Sequence, residues 1–167
     1  MRPLDEREVR ASFVNASRGE ATRLRVPTDL AERSWADLDF LGWVDDRAPL
    51  QCYVVAVGDD DRAVGVQLRR NVGGAGPRRA RMCSLCLTTH PGQGATLMVA
   101  PRAGRSGRDG NSVGVDVCAD LGCSAYVRGL RPLPSLMRVP ETLSVEERAA
   151  RLRRNLGAFL ARVQATT

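Results

Sequence analysis

The 167-residue sequence predicts an α+β fold, an antiparallel sheet with flanking helices. Three features carry that reading. Two pairs of short apolar runs, 51–57 with 63–69 and 95–100 with 112–117, are each joined by Gly-rich or charged residues, the arrangement of β-hairpins. A C-terminal stretch carries apolar residues at three- and four-residue steps behind a helix-start signal. Four cysteines fall in two close pairs, one between the hairpins and one at the end of the second.

Taken in order, residues 4–16 read as a short helix. Leu4, Val9, Phe13 and Val14 share a face, Asp5 and Glu6 favour its N-terminal end, and Ser17-Arg18-Gly19 ends it. Residues 29–32 read as a turn or short helix. Leu38, Phe40, Leu41 and Trp43 form an apolar cluster expected to pack on the sheet. In the strand 63–69, Val64, Val66 and Leu68 alternate with smaller or polar residues, the period of a half-buried strand. The acidic run 58–62 is its hairpin turn, and 71–80 is an exposed Gly/Pro-rich loop. Residues 101–111, with three arginines and three glycines, read as a mobile surface loop rather than a phosphate loop, since no Walker pattern is present. Residues 120–129 form a short helix, and Pro132, Pro134 and Pro140 mark an extended linker. Ser144 and Glu147 then make a capping box for a helix that ends near Val163. Its buried stripe is Val145, Ala149, Leu152, Leu156, Phe159, Leu160 and Val163, and Arg148, Arg151, Arg153, Arg154 and Arg162 lie on the outer face.

Composition bounds the class. Hydrophobic residues make up 43% and aromatics 4%, so a core is affordable but must be built mainly from Val, Leu and Ala. No run approaches the roughly 18 apolar residues of a membrane helix. The N-terminal MRPLDEREVR has mixed charge and no apolar core of a signal peptide, so a cytoplasmic protein is expected. The formal charge is +6, and all 25 basic residues are arginine, a skew that fits GC-rich coding better than a recognition device. The charge is compatible with contact to RNA or the ribosome. No paired carboxylates, nucleophile motif or cofactor fingerprint stands in a supporting context, so the expectation is a protein that is not an enzyme and takes no small-molecule substrate.

The chemistry lies in the cysteines. Cys83-x2-Cys86 and Cys118-x4-Cys123 have metal-site spacing. A two-residue spacer forms a knuckle that points both thiolates at one ion, and the second pair arrives from a strand end and the first turn of the next helix. Knuckle, hairpin and helix in that order make a treble clef. Four sulfurs favour one Zn²⁺ in a closed, structural site, although iron takes the same set. A thioredoxin-like motif would open a helix after a strand, whereas this one follows a loop. Disulfides do not suit a chain without an export signal. A Cys–His nucleophile would need His90 to face a cysteine and would leave the second pair unused. Cys52, inside a strand, reads as a small buried residue. His90 is placed outside the ligand set, as loop structure or as a hydrogen-bond partner of a ligating sulfur.

The segments MCSLCLTTHPG, GNSVGVDVCADLGCSAYVRG and ETLSVEERAARLRRNLGAFLARV resemble the FBP family, elongation factor G-binding proteins with a C-terminal treble-clef zinc finger. RASFVNASRGE and WADLDFLGW resemble the forms found in actinobacteria, so the likeness spans nearly the whole chain. The resemblance implies an α/β domain with an antiparallel sheet, with Cys83, Cys86, Cys118 and Cys123 on the zinc. It also implies binding to elongation factor G. The FusB-type fusidic-acid resistance proteins of this family release that factor from the ribosome, with the finger domain as the main contact. Those proteins are longer and carry a helical bundle before the finger, for which residues 1–50 are too short. The expected organisation is therefore 1–50 as a helix and apolar segment packing on the sheet and 51–167 as the zinc-finger domain, together one compact unit.

A contact surface does not carry over residue by residue. Exposed aromatic and arginine residues are the usual interface anchors, which points to Tyr126 and Arg128 after the ligands and to Arg102, Arg105 and Arg108 in the long loop. Packing of Tyr126 against the knuckle is the other reading of that residue. The rival function is an RNA- or ribosome-binding zinc protein, although the loops lack the aromatics that stack bases.

Overall fold

The structure is a computed structural model, and it describes residues 1–71, 79–133 and 142–165. Its centre is a five-stranded antiparallel sheet in the order β1-β2-β3-β6-β7. The strands are β1 (Leu41–Val44), β2 (Gln51–Val57), β3 (Ala63–Arg70), β6 (Ala95–Pro101) and β7 (Ser112–Cys118). Between β3 and β6 lies a two-stranded ribbon, β4 (Arg81–Met82) with β5 (Thr89–His90). Both predicted hairpins are present, with register Val54↔Val66 in the first and Met98↔Val115 in the second.

Period-two alternation sends β2 side chains to two cores. Cys52, Val54 and Ala56 join Val66, Leu68, Met98 and Val117 under the C-terminal helix α5 (Val145–Gln164). Tyr53 and Val55 face the opposite way and pack with Leu4, Val9, Phe13, Leu41 and Trp43. Phe13 meets Trp43 and Tyr53 edge-on, with centroids 6.3 and 5.9 Å apart. Trp43 Nε1 donates to Arg25 O at 2.8 Å and Trp35 Nε1 to Leu30 O at 2.8 Å, so each buried indole has a partner. The stripe predicted for α5 is buried from Ala149 to Val163, whereas Val145 in the first turn is exposed, and the Ser144–Glu147 capping box is formed. Each fully buried Leu or Phe of that stripe contributes roughly 1.5–3 kcal/mol.

The N-terminal segment departs from expectation. The first helix, α1, spans only Glu6–Ala11 behind an Asp5–Glu8 capping box. The chain then leaves the helix to complete β3: Gly65 N donates to Ser12 O at 2.9 Å and Val14 N to Gly65 O at 2.9 Å. Ser12 Oγ donates back to Val9 O at 2.7 Å, the local competition that ends helices at serine. Asn15 continues the pairing with its side chain. Its Oδ1 accepts from Gln67 N at 2.9 Å, and its Nδ2 donates to Gln67 O at 3.0 Å and to Pro101 O at 2.9 Å. Ser17, expected to end a helix, starts one instead: it caps α2 (Arg18–Arg23), with Glu20 closing the box. Of the cluster around Trp43, Leu41 and Trp43 belong to the sheet itself, in edge strand β1, while Leu38 and Phe40 lie just before it and Phe40 packs into the core under α5.

Residues 101–111 are also more ordered than a mobile loop. They contain a short helix, α3 (Gly104–Arg108), pinned to the end of α5. Ala103 N donates to Val163 O at 2.8 Å, and Arg102 Nη1 donates to Arg162 O and Ala165 O at 3.1 and 3.2 Å. Gly104 has φ +66°, and a Cβ on Gly107 would stand 1.8 Å from Arg102 O. That neighbour is backbone and cannot swing away, so Gly107→Ala is expected to destabilise the protein by about 1–3 kcal/mol. A thermal melt, with hydrogen exchange confined to 102–111, would check it; an unshifted melt would refute the tight contact.

The predicted helix 120–129 shortens to α4 (Cys123–Val127), because Leu121 (φ 55°) and Gly129 (φ 68°) turn the chain at either side. Residues 72–78 of the predicted loop, and Pro134 and Pro140 of the predicted linker, lie outside the described residues.

Candidate metal centre

Cys83 and Cys86 sit in the tight turn between β4 and β5. Cys83 N donates to Thr88 O at 2.9 Å, Leu87 N donates to Cys83 O at 2.9 Å, and Leu87 takes the left-handed conformation that closes the knuckle (φ 62°). Two bonds fasten this turn to the domain: Ser84 N to Asp116 O of β7 at 2.7 Å, and Asn155 Nδ2 of α5 to Leu85 O at 2.9 Å. Cys118 ends β7 and Cys123 opens α4, as the spacing predicted.

The four sulfurs converge. Cys83 and Cys123 Sγ are 3.7 Å apart, Cys86 and Cys118 Sγ are 3.5 Å apart, and all four lie within 4.8 Å of one another, fully buried. A tetrahedron with metal–sulfur bonds of about 2.3 Å has sulfur–sulfur edges of about 3.8 Å, so this set suits one zinc ion. Four sulfurs leave no open position for water, which makes the centre structural. Crowding also changes the thiols. Hydrogen bonds from Cys118 and then Cys123 pull the Cys83 thiol well below its ordinary range, while Cys118, then Cys83 and Cys86, push Cys123 well above it. Thiolates are the form that binds a metal, so a divalent cation bound here would displace the thiol protons.

Around the sulfurs stand residues of two kinds. His90 is 1% exposed, lies outside the group of four, and places Nε2 3.1 Å from Cys118 Sγ. Its ring meets Tyr126 edge-on at 5.1 Å. Burial pushes the His90 pKa down. Cys52 is buried but lies outside the group of four, and burial pushes its thiol up. Tyr126 is half-buried on the knuckle side and donates its hydroxyl to Asp120 Oδ2 at 3.0 Å; burial first, then that bond, pushes its pKa up to about 12.

The five expected contact residues do not form one surface. Arg128 is not an exposed anchor: its side chain is 17% exposed and paired with both oxygens of Asp39, which is itself 1% exposed. Arg153 joins the same carboxylate at 2.8 Å, and Ser124 Oγ accepts from Asp39 N at 3.0 Å. Arg102, Arg105 and Arg108 lie at the far end of the β6–β7 hairpin from Cys118. Seven-residue strands put them about 20 Å from the metal centre. Arg105 is free in solvent apart from a 3.5 Å pairing with Asp109. Sequence reasoning missed Asp39. The available signal was a carboxylate flanked by Leu38 and Phe40 in an apolar run, which is affordable only with a buried cationic partner.

The comparisons agree with this geometry. The profile described as the FBP C-terminal treble-clef zinc finger matches residues 8–163. A search of curated proteins returns no match. Among solved structures, that of the fusidic acid resistance protein FusC shares the fold, with a TM-score of 0.53 and 15% identity, covering 86% of this chain. The chain spans only 53% of that protein. With the family profile matched from α1 to the last turn of α5, and its four-cysteine centre in place, the chain belongs to the FBP C-terminal treble-clef zinc-finger family.

Proposed function

We propose that this protein is a non-enzymatic adaptor that binds elongation factor G and promotes its release from the ribosome, with Cys83, Cys86, Cys118 and Cys123 holding one structural zinc. Membership of the FBP family over residues 8–163 carries the reading. The surface around the finger supports it. Met82 on β4, Leu87 in the knuckle and Leu130 after α4 are exposed apolar side chains, and Tyr126 lies half-exposed among these elements. Apolar and aromatic anchors on a rigid frame are what a protein partner needs. A partner that favours one state of the factor shifts its population toward that state. Among the described residues, no helix is long and apolar enough to cross a membrane.

Calorimetric titration against elongation factor G of the same organism tests this, run with and without competing RNA. The expected result is saturable one-to-one binding, indifferent to RNA, and weakened at least tenfold by Leu87→Asp. Absence of saturable heat would overturn it. A second reading, RNA contact, is favoured by one observation: the α3 turn presents Arg105 and Arg108 to solvent. That reading requires an affinity that falls steeply with salt and a loss of RNA binding in the double variant Arg105→Ala and Arg108→Ala.

A further inference from the structure

A zinc ion held by four thiolates carries a net charge of about −2, and burial of that charge needs hydrogen-bond donors to the sulfurs. The structure provides them unequally. Cys83 Sγ accepts from Cys86 N at 3.4 Å, and Cys86 Sγ lies 3.3 Å from the Thr88 hydroxyl. Cys118 ends a strand, and the next backbone N–H, that of Ala119, already donates to Gly94 O at 2.9 Å. What reaches Cys118 Sγ instead is His90 Nε2 at 3.1 Å, the shortest of these contacts. The ring is fixed there. It is buried, Tyr126 closes one side of it, and Gly94 lies so near that a Cβ would stand 2.8 Å from His90 Cβ and Nδ1.

We propose that His90 is a positioning residue of the zinc centre: its Nε2–H donates to the Cys118 thiolate, and this bond sets how slowly the protein releases zinc. The inference rests on the four cysteines being the zinc ligands. It goes beyond the family reading, because it gives the chain's single histidine a role that neither cysteine spacing nor partner binding requires.

The test uses the full-length zinc-loaded protein and a chromogenic chelator in excess, with zinc release followed in time. His90→Phe, which keeps a ring without a donor, is expected to release zinc roughly 10- to 100-fold faster. His90→Gln, which restores an N–H donor, is expected to recover most of the retention. In cobalt-loaded protein, His90→Phe should shift the sulfur-to-cobalt absorption band while the spectrum remains that of four sulfurs. Equal release from wild type and His90→Phe would overturn the proposal. So would a wild-type cobalt spectrum of three sulfurs and one nitrogen, which would make His90 a ligand. Should His90→Phe fail to fold, Gly94→Ala displaces the ring while keeping the imidazole, and unchanged release from it would overturn the proposal equally. Wild-type protein that takes up no metal would refute the zinc assignment itself, an outcome distinct from metal bound but released at one rate by every variant.

Discussion

Stripping zinc from the loaded protein is expected to lower its melting temperature by about 8–16 °C when the comparison is made at free zinc a thousandfold above the dissociation constant. Mass action on the folded state gives about 4 kcal/mol under that condition. A chain of this size shifts by roughly 2–4 °C per kcal/mol. The effect is large because the metal joins elements too short to hold their own geometry. β4 and β5 have two residues each, and α4 has five. Without the ion the knuckle is held to the rest by hydrogen bonds such as Ser84 N to Asp116 O. Cys83→Ser removes one ligand and should reproduce the apo melt with sub-stoichiometric zinc. Scanning calorimetry in zinc-buffered and chelator-containing solution checks both. A Cys83→Ser protein with full zinc content and an unshifted melt would refute the assignment of Cys83 as a ligand.

Asp39→Ala is the second large effect expected, about 3–5 kcal/mol of lost stability, because it leaves Arg128 charged and largely buried with no counter-ion. Arg128→Ala should cost less, because Arg153 stays paired with the Asp39 carboxylate at 2.8 Å. Arg153→Ala should cost under about 1 kcal/mol, since that side chain is 56% exposed and can turn to water. The sharper check is the double variant Asp39→Leu with Arg128→Met. Replacing a buried pair by apolar groups is often near neutral, so the double variant should be more stable than either single charge deletion. Chemical denaturation measures all four. Additive losses in the double variant would mean that the pair is not coupled.

The parts of the molecule that were legible in the sequence are those where a local signal and the final environment agree. The strand 63–69 has the period of two, 51–57, 95–100 and 112–117 are short apolar runs bounded by turn residues, and the Ser144–Glu147 box with its apolar stripe specifies α5 without help from the rest of the chain. The four cysteines were legible because thiolate pairs need fixed spacing whatever surrounds them. Residues 12–17 were not, because a helical apolar pattern there was overridden by long-range pairing with Gly65 and Gln67. Ser17-Arg18-Gly19 was read by its glycine, whereas Glu20 made it a helix start. The Arg128–Asp39 pair was invisible because its members are 89 residues apart, and no spacing rule connects them. The arginine turn was misjudged since its glycines indicate freedom in sequence, while in the fold Gly107 gives close contact instead.

The β6–β7 hairpin also has a kinetic meaning. Cys86 and Cys118 are 32 residues apart, and an unfolded chain would have to close that whole span to complete the metal cage. Pairing of Ala95 with Cys118 in the hairpin shortens the effective span to the short connection from the knuckle to β6. The knuckle alone offers two thiolates to an ion, and the hairpin delivers the third and, through α4, the fourth; β-hairpins in general close in about 1–10 μs. Metal capture is therefore expected to follow hairpin zippering, so a destabilised hairpin should slow zinc uptake before it weakens zinc affinity.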